Sequence, residues 1–197
     1  MERRAYRVEL MMRIFWLALC FCLPALQSAM AGAPDVTVPA DTVKCDLKGW
    51  STDRSAQGLS VLAAPNASAS VITHYLHGAI ANYQVDFSIK GFKDGFLLIK
   101  GGVTDDFDEA DVGAPVYDGK GWVDAGLVAG GFAGDSPDGL FTAPSVRSAF
   151  KPFAKKPDRV WIDKVLSCAD DWAEVVTNKG TGWLQGMCNG RTEGCSR

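Results

Sequence analysis

Chemistry in a protein needs a nucleophile beside a base, a matched titratable pair or a metal-ligating cluster, and few residues of this chain stand at such spacings. Its two histidines, His74 and His77, lie in THYLHG. Residues three apart in a strand point to opposite faces, so without a bulge they make no HxxH metal pair and read as incidental. Ser136 in GDSPDG stands in a Gly-rich stretch without the GxSxG elbow spacing, and no strand leads into it. No cysteine has a histidine near it in sequence. The acidic run DDFDEAD, 105 to 111, carries oxygens that suit calcium but lacks the EF-hand spacing and its glycine, so it reads as a solvated loop. Carboxylates are plentiful, yet nothing in the sequence holds two of them at a glycosidase separation. The expectation is a protein without catalytic residues, metal or cofactor.

Recognition has better candidates. Asp94 stands just before Phe96, and Asp170 and Asp171 stand just before Trp172. An exposed ring beside a carboxylate can stack on a peptide or sugar while the acid takes an amine or hydroxyl. The alternative is that both rings fill a core, which is favoured for Phe96 and balanced against the groove for Trp172.

These residues must be placed by the elements around them, and the first 31 residues are not expected among those. Arg3, Arg4, Arg7 and Arg13 precede the apolar run IFWLALCFCLPAL, and the small residues QSAMAGA follow. That order is a secretory signal peptide with cleavage after Ala31. The apolar run is short for a membrane span, so no stable span is expected after cleavage. Neither Cys20 nor Cys22 follows a small residue, which speaks against lipid attachment. Residues 1 to 31 hold four of the 20 basic and two of the 23 acidic side chains, leaving 16 against 21 in the mature chain. Such an acidic balance is poorly suited to nucleic acid or to an anionic membrane.

Cys45, Cys168, Cys188 and Cys195 remain. Four cysteines in an exported chain read as two disulfides with three possible connectivities. Six residues separate Cys188 from Cys195 in CNGRTEGC, and no CxxC pair accompanies them, which argues against zinc. Gly190 and Gly194 make a small Cys188–Cys195 ring geometrically possible, and Cys45 then pairs with Cys168.

The mature chain reads as β-structure written twice. SVITHYL, YQVDFSI, GFLLI, GWVDA, WAEVV and GWLQG are short runs rich in Val, Ile, Phe and Trp between turn residues, with no helical periodicity to compete. GKGWVDAG at 119 to 126 returns as GTGWLQGM at 180 to 187. With these aligned, VLAAP (61 to 65) lies over LFTAP (140 to 144) and DGFLLI (94 to 99) over DDWAEV (170 to 175). From Phe96 to Trp122 is 26 residues and from Trp172 to Trp183 only 11, so the first copy carries an acidic insertion at 101 to 118.

The order GLSVLAAP, DGFLLI, GKGWVDAG resembles the bacterial Src homology 3 (SH3) domain, whose repeats open on Gly-Leu-Asn-Val-Arg-x-x-Pro and close on Gly-x-x-Gly-Trp-Val. The first copy keeps Gly58, Leu59, Val61 and Pro65 but has Ser60 and Leu62 where Asn and Arg are usual; the second is more degenerate, with Gly139, Leu140 and Pro144. The resemblance covers about residues 45 to 190 and implies an all-β fold of two small SH3-like barrels in tandem, disulfide-stapled, after a cleaved signal peptide: module 1 at 45–130 and module 2 at 138–197. In such barrels the second glycine of the closing motif lets the chain turn, and Trp122 and Trp183 cover the barrel ends as structural residues.

The resemblance implies further that ligand-binding residues lie by the central hairpin, at Phe96 and Asp94 and at Trp172 and Asp171. The insertion at 101 to 118 stands where it would shield or extend the first groove, whereas the second copy has a short loop there, so the second groove is expected to be the more open, with Trp172 exposed as its platform and Asp171 as its polar partner. The function implied is a non-catalytic periplasmic or secreted bacterial module that recognises peptidoglycan peptide or glycan. No hydrolase segment stands beside the two copies in this sequence, which gives weight to a second reading: a small interaction or inhibitor protein acting on another exported protein.

Overall fold

The computed structural model describes residues 35–75, 84–105, 115–132, 137–155 and 160–188. The expected signal peptide, His77, Ser136, most of the acidic run and Cys195 lie outside the described residues. Among those residues the fold is all-β, with no α-helix.

Alternation writes the strands. In β1 (Val43–Ser51), Cys45, Leu47, Gly49 and Ser51 face inward while the residues between them stay wet. The next five strands are β2 (Leu59–Leu62), β3 (Val71–Tyr75), β4 (Gln84–Lys93), β5 (Phe96–Asp105) and β6 (Pro115–Asp124). A single 3₁₀ turn, Ala125–Leu127, is capped by Asp124, whose Oδ1 accepts from the Gly126 N–H at 2.8 Å. β7 (Val128–Ala129) and β8 (Gly131–Phe132) follow. The second half holds β9 (Gly139–Phe141), β10 (Phe150–Pro152), β11 (Ile162–Ala169), β12 (Trp172–Thr177), β13 (Gly180–Gln185) and β14 (Met187–Cys188).

Seven strands make one curled sheet in the order β3-β2-β6-β5-β4-β1-β7, bent by bulges along β4 and β5. Five more make a second sheet, β10-β9-β13-β12-β11, and β14 pairs with β8. The five-strand order β3-β2-β6-β5-β4 is thus the order β10-β9-β13-β12-β11 in chain-order equivalents. Register agrees as well: Leu62 pairs with Trp122 and Trp122 with Leu98, while Phe141 pairs with Trp183 and Trp183 with Glu174. The loops after β2 and β9 close with the same bonds, Ala63 N–H to Ser70 O and Thr142 N–H to Ala149 O at 2.9 Å each, then Ala69 to Asn66 and Ser148 to Ser145.

Both ends of the acidic insertion at 101 to 118 are strand rather than loop. β5 and β6 run ten residues each where β12 and β13 run six, and Gly102 stays in register with Tyr117. The extension has its own packing: Tyr75 is fully buried, stacks on Phe87, lies against Tyr117 and donates to Gly101 O at 2.7 Å. Burial pushes the Tyr75 hydroxyl's pKa upward, so the ring stays neutral and keeps this donor.

Glycine in the closing motif works differently from the expected turn. Neither Gly121 nor Gly182 has a positive φ; a Cβ on Gly121 would sit 2.3 Å from Val61 Cγ1, and one on Gly182 would sit 2.8 Å from Leu140 Cβ. Both let the neighbouring strand's core residue come close.

The described residues all belong to one compact unit. One apolar cluster runs through both sheets, from Leu47, Leu59, Ile89, Leu97 and Val123 to Leu140, Val165, Ala173, Val175 and Leu184. Within it the Cys45–Cys168 disulfide joins β1 to β11, with a Cα–Cα distance of 5.8 Å and a sequence separation of 123. This is the long bridge expected from the sequence. Cys188 is also disulfide-bonded; the expected Cys188–Cys195 ring falls on residues outside those described.

Replacing Cys45 and Cys168 together by serine removes a constraint on a long loop of the unfolded chain and should cost about 2–5 kcal/mol, read as a lower urea midpoint. An unchanged midpoint would show that the bridge does not staple the fold. A fragment of residues 32–130 loses the part of the shared cluster from Leu140 to Met187 and should melt lower and less cooperatively than residues 32–197 in scanning calorimetry.

Candidate functional site

The candidate contacts sit at two hairpin tips and on the outer faces behind them. At the first tip, Lys93-Asp94-Gly95-Phe96, both central residues have positive φ, 49° at Asp94 and 85° at Gly95, which is the type I′ pattern that Asp-Gly favours. Asp94 is exposed beside Lys93 at 3.4 Å, Phe96 is half-buried, and Gly95 O accepts from the Ala125 N–H at 3.0 Å.

The second tip is held more tightly. Asp170 has φ 51°, and its backbone joins β1: its N–H donates to Lys44 O at 2.8 Å, and its carbonyl accepts from the Asp46 N–H at 2.7 Å. Asp171 is exposed; its Oδ2 accepts from Gln185 Nε2 at 2.7 Å and its carbonyl from the Gly186 N–H at 2.8 Å. Trp172 lies underneath, only 7% exposed and edge-on to Phe141 at 5.2 Å.

Trp122 is covered as expected, but Trp172 and Trp183 depart from expectation. Trp172, read as an exposed platform, is buried. Trp183, read as a structural cover, is half-buried, whereas its counterpart Trp122 is fully buried. What separates Trp122 from Trp183 is a segment that sequence reasoning passed over. Residues 35–42 lie across the outer face of the first sheet: the Thr37 N–H donates to Ala63 O, and the Trp122 indole donates to Thr37 O, both at 2.8 Å. Farther along, a Cβ on Gly91 would meet Thr42 Cγ2 at 2.7 Å, so the sheet is smooth where the segment crosses it. The Asp41 carboxylate bonds Lys93 Nζ at 2.8 Å, and Thr42 is tied back to Pro39 O. The signal that could have found it is PDVTVP, a β-branched run between prolines.

Lys93 holds the Asp41 carboxyl below its ordinary value, chiefly through their hydrogen bond, and Asp41 raises the Lys93 ammonium in turn. A depressed carboxylate favours the folded state fully above its ordinary pKa of 3.8, and that contribution fades as pH falls through the lower folded value.

His74 lies exposed in β3, with Nδ1 3.3 Å from Ser60 Oγ. Among the described residues no three His, Cys, Asp or Glu side chains come together as a metal site would need. A depression of about 290 Å³ lies over β1, β4 and β5, lined by Lys48, Asp86, Ser88 and Lys100 among others. That volume is at the bottom of the range of small-molecule sites. No protein-family profile, no curated protein and no solved structure matches this chain.

Trp172→Ala should cost about 3–5 kcal/mol of stability in chemical unfolding, as for a core ring, and Trp183→Phe much less. Equal losses would contradict the packing. Titration followed by carboxyl NMR should place the Asp41 midpoint below 3.8, with amide protection of residues 37–42 weakening in that same acid range.

Proposed function

We propose that this is an exported, non-catalytic binding protein built from two degenerate SH3-type modules, whose ligand is a peptide or glycan of the cell wall. The observation that carries the reading is the doubled sheet. The strand order, the pairing of the closing-strand tryptophan with the strand before each opening loop, and the bonds closing that loop recur in both halves. A duplicated small β-module suits a protein that displays surfaces. The Cys45–Cys168 bridge agrees with an oxidising compartment. No helix among the described residues is long and apolar enough to cross a membrane.

In this reading residues 1 to 31 are the export signal, and the contacts are Asp94 with Phe96 and Asp171 with Trp172. Trp172 then acts as the buried support beneath Asp171, whose exposed carboxylate meets an amine or hydroxyl of the ligand. A second reading, a periplasmic protein that binds or inhibits another exported protein, draws support from the half-buried aromatic row described below.

Sedimentation of residues 32–197 with insoluble peptidoglycan tests the first reading. Retention in the pellet that falls on Asp171→Ala is the expected result. A protein that stays wholly in the supernatant across salt concentrations would overturn it.

A further inference from the structure

Segment 35–42 shows what the outer face of this sheet type accepts. In the first sheet Val71, Leu62, Trp122 and Leu98 stand opposite one another across four strands, so their side chains share one face. Thr37 is held against that row by its own N–H and C=O, the first to the Ala63 carbonyl and the second from the Trp122 indole. One residue of an extended chain thereby satisfies a donor and an acceptor at the sheet surface.

The second sheet carries the same row as Phe150, Phe141, Trp183 and Glu174. The counterpart of Ala63 is Thr142, whose N–H closes the loop just as that of Ala63 does. Here no described backbone is hydrogen-bonded across the row as Thr37 is, and the row's neighbour on the same face is Trp172, edge-on to Phe141 at 5.2 Å. Phe150 is 44% exposed, Phe141, Trp183 and Glu174 are half-buried, and Thr142 is exposed. Among the described residues neither the Trp183 indole N–H nor the Thr142 carbonyl has a hydrogen-bond partner. One difference selects the occupant: Glu174 replaces Leu98, putting a carboxylate in the row.

We propose that the row Phe150, Phe141, Trp183 and Glu174 binds an extended, basic polypeptide segment. One residue of that segment donates its backbone N–H to the Thr142 carbonyl and accepts the Trp183 indole N–H at its own carbonyl, as Thr37 does within the first sheet. Apolar side chains on either side lie over Phe141 and Phe150, and a Lys or Arg answers Glu174. The backbone pair fixes register, and the charge excludes a second copy of the acidic segment 35–42.

The inference rests on the binding reading above and is tested separately from it. The probe is the hexapeptide of residues 35–40 carrying Asp35→Lys and Ala40→Lys, titrated into residues 32–197 with the indole resonances followed by NMR and Trp183 assigned from Trp183→Phe. The Trp183 indole proton should shift progressively. Methylating the peptide's Thr37 nitrogen, or introducing Trp183→Phe in the protein, should weaken binding on the order of fivefold, the loss of one hydrogen bond. The unsubstituted hexapeptide should bind more weakly, and Glu174→Gln should abolish that preference. An unmoved Trp183 resonance, or binding indifferent to both changes, overturns the proposal. A protein that pellets with peptidoglycan while its Trp183 resonance ignores the peptide keeps the wall reading and loses this site; one that binds the peptide but never pellets does the reverse.

Discussion

Strand β1 is where the two sheets are made into one object. One of its edges pairs with β4, its C-terminal end pairs with β7, and at Cys45 its backbone bridges in parallel to Asp170 at the tip of the β11–β12 hairpin. The Cys45–Cys168 bond locks that junction covalently. A hairpin tip normally faces water, and its backbone groups are then satisfied there. Here the tip's N–H and C=O are spent on β1, so the second sheet has a fixed orientation against the first. The left-handed φ of Asp170, costly for most side chains and tolerable for aspartate, matches that of Asp94 at the first hairpin tip and belongs to the tight turn.

With the inner faces committed to one shared cluster, the halves differ on their outer faces. The first sheet has a crossing segment, a fully buried Trp122 and a glycine under Thr42; the second has a charged residue in the row and an indole N–H without a hydrogen-bond partner among the described residues. The same strand order therefore supports a closed face in one half and an accessible face in the other. Burying Trp122 with its N–H unpaired would cost more than the burial of one more ring edge returns, so Thr37 O is what makes the full burial possible.

Much of the fold was legible because its signals are local. Asp94-Gly95 between β-branched and aromatic runs announces a tight hairpin, and the ordered recurrence of Gly-Trp, Ala-Pro and Asp-aromatic words aligned the strands that turn out to pair alike. The long disulfide was one of three connectivities open to the four cysteines, expected once Cys188 and Cys195 were paired across their small loop. What stayed hidden is long-range. The exposure of Trp122 or Trp183 depends on whether residues some 85 positions away lie over the ring, and no periodicity within the closing strand records that. The roles of Gly121 and Gly182 were hidden likewise, since they depend on Val61 and Leu140 from another strand.

The hairpin extension completes the physical contrast between the halves. Lengthening β5 and β6 beyond the span of β12 and β13 leaves a second layer of apolar surface at the far end of the first sheet, and an uncovered layer there would be an exposed patch. Tyr75 resolves this by reaching from β3 to the Gly101 carbonyl with its ring over Gly102, where any Cβ would sit 2.8 Å from the ring. The positive φ of Gly101 and the register shift beside it turn that carbonyl toward the hydroxyl. The first half thus spends its extra residues closing its own surfaces, at the hairpin end with Tyr75 and Tyr117 and on the outer face with residues 35–42. In the second half, Phe150, Phe141 and Trp183 form the matching apolar row without a counterpart of residues 35–42 bonded over it among the described residues.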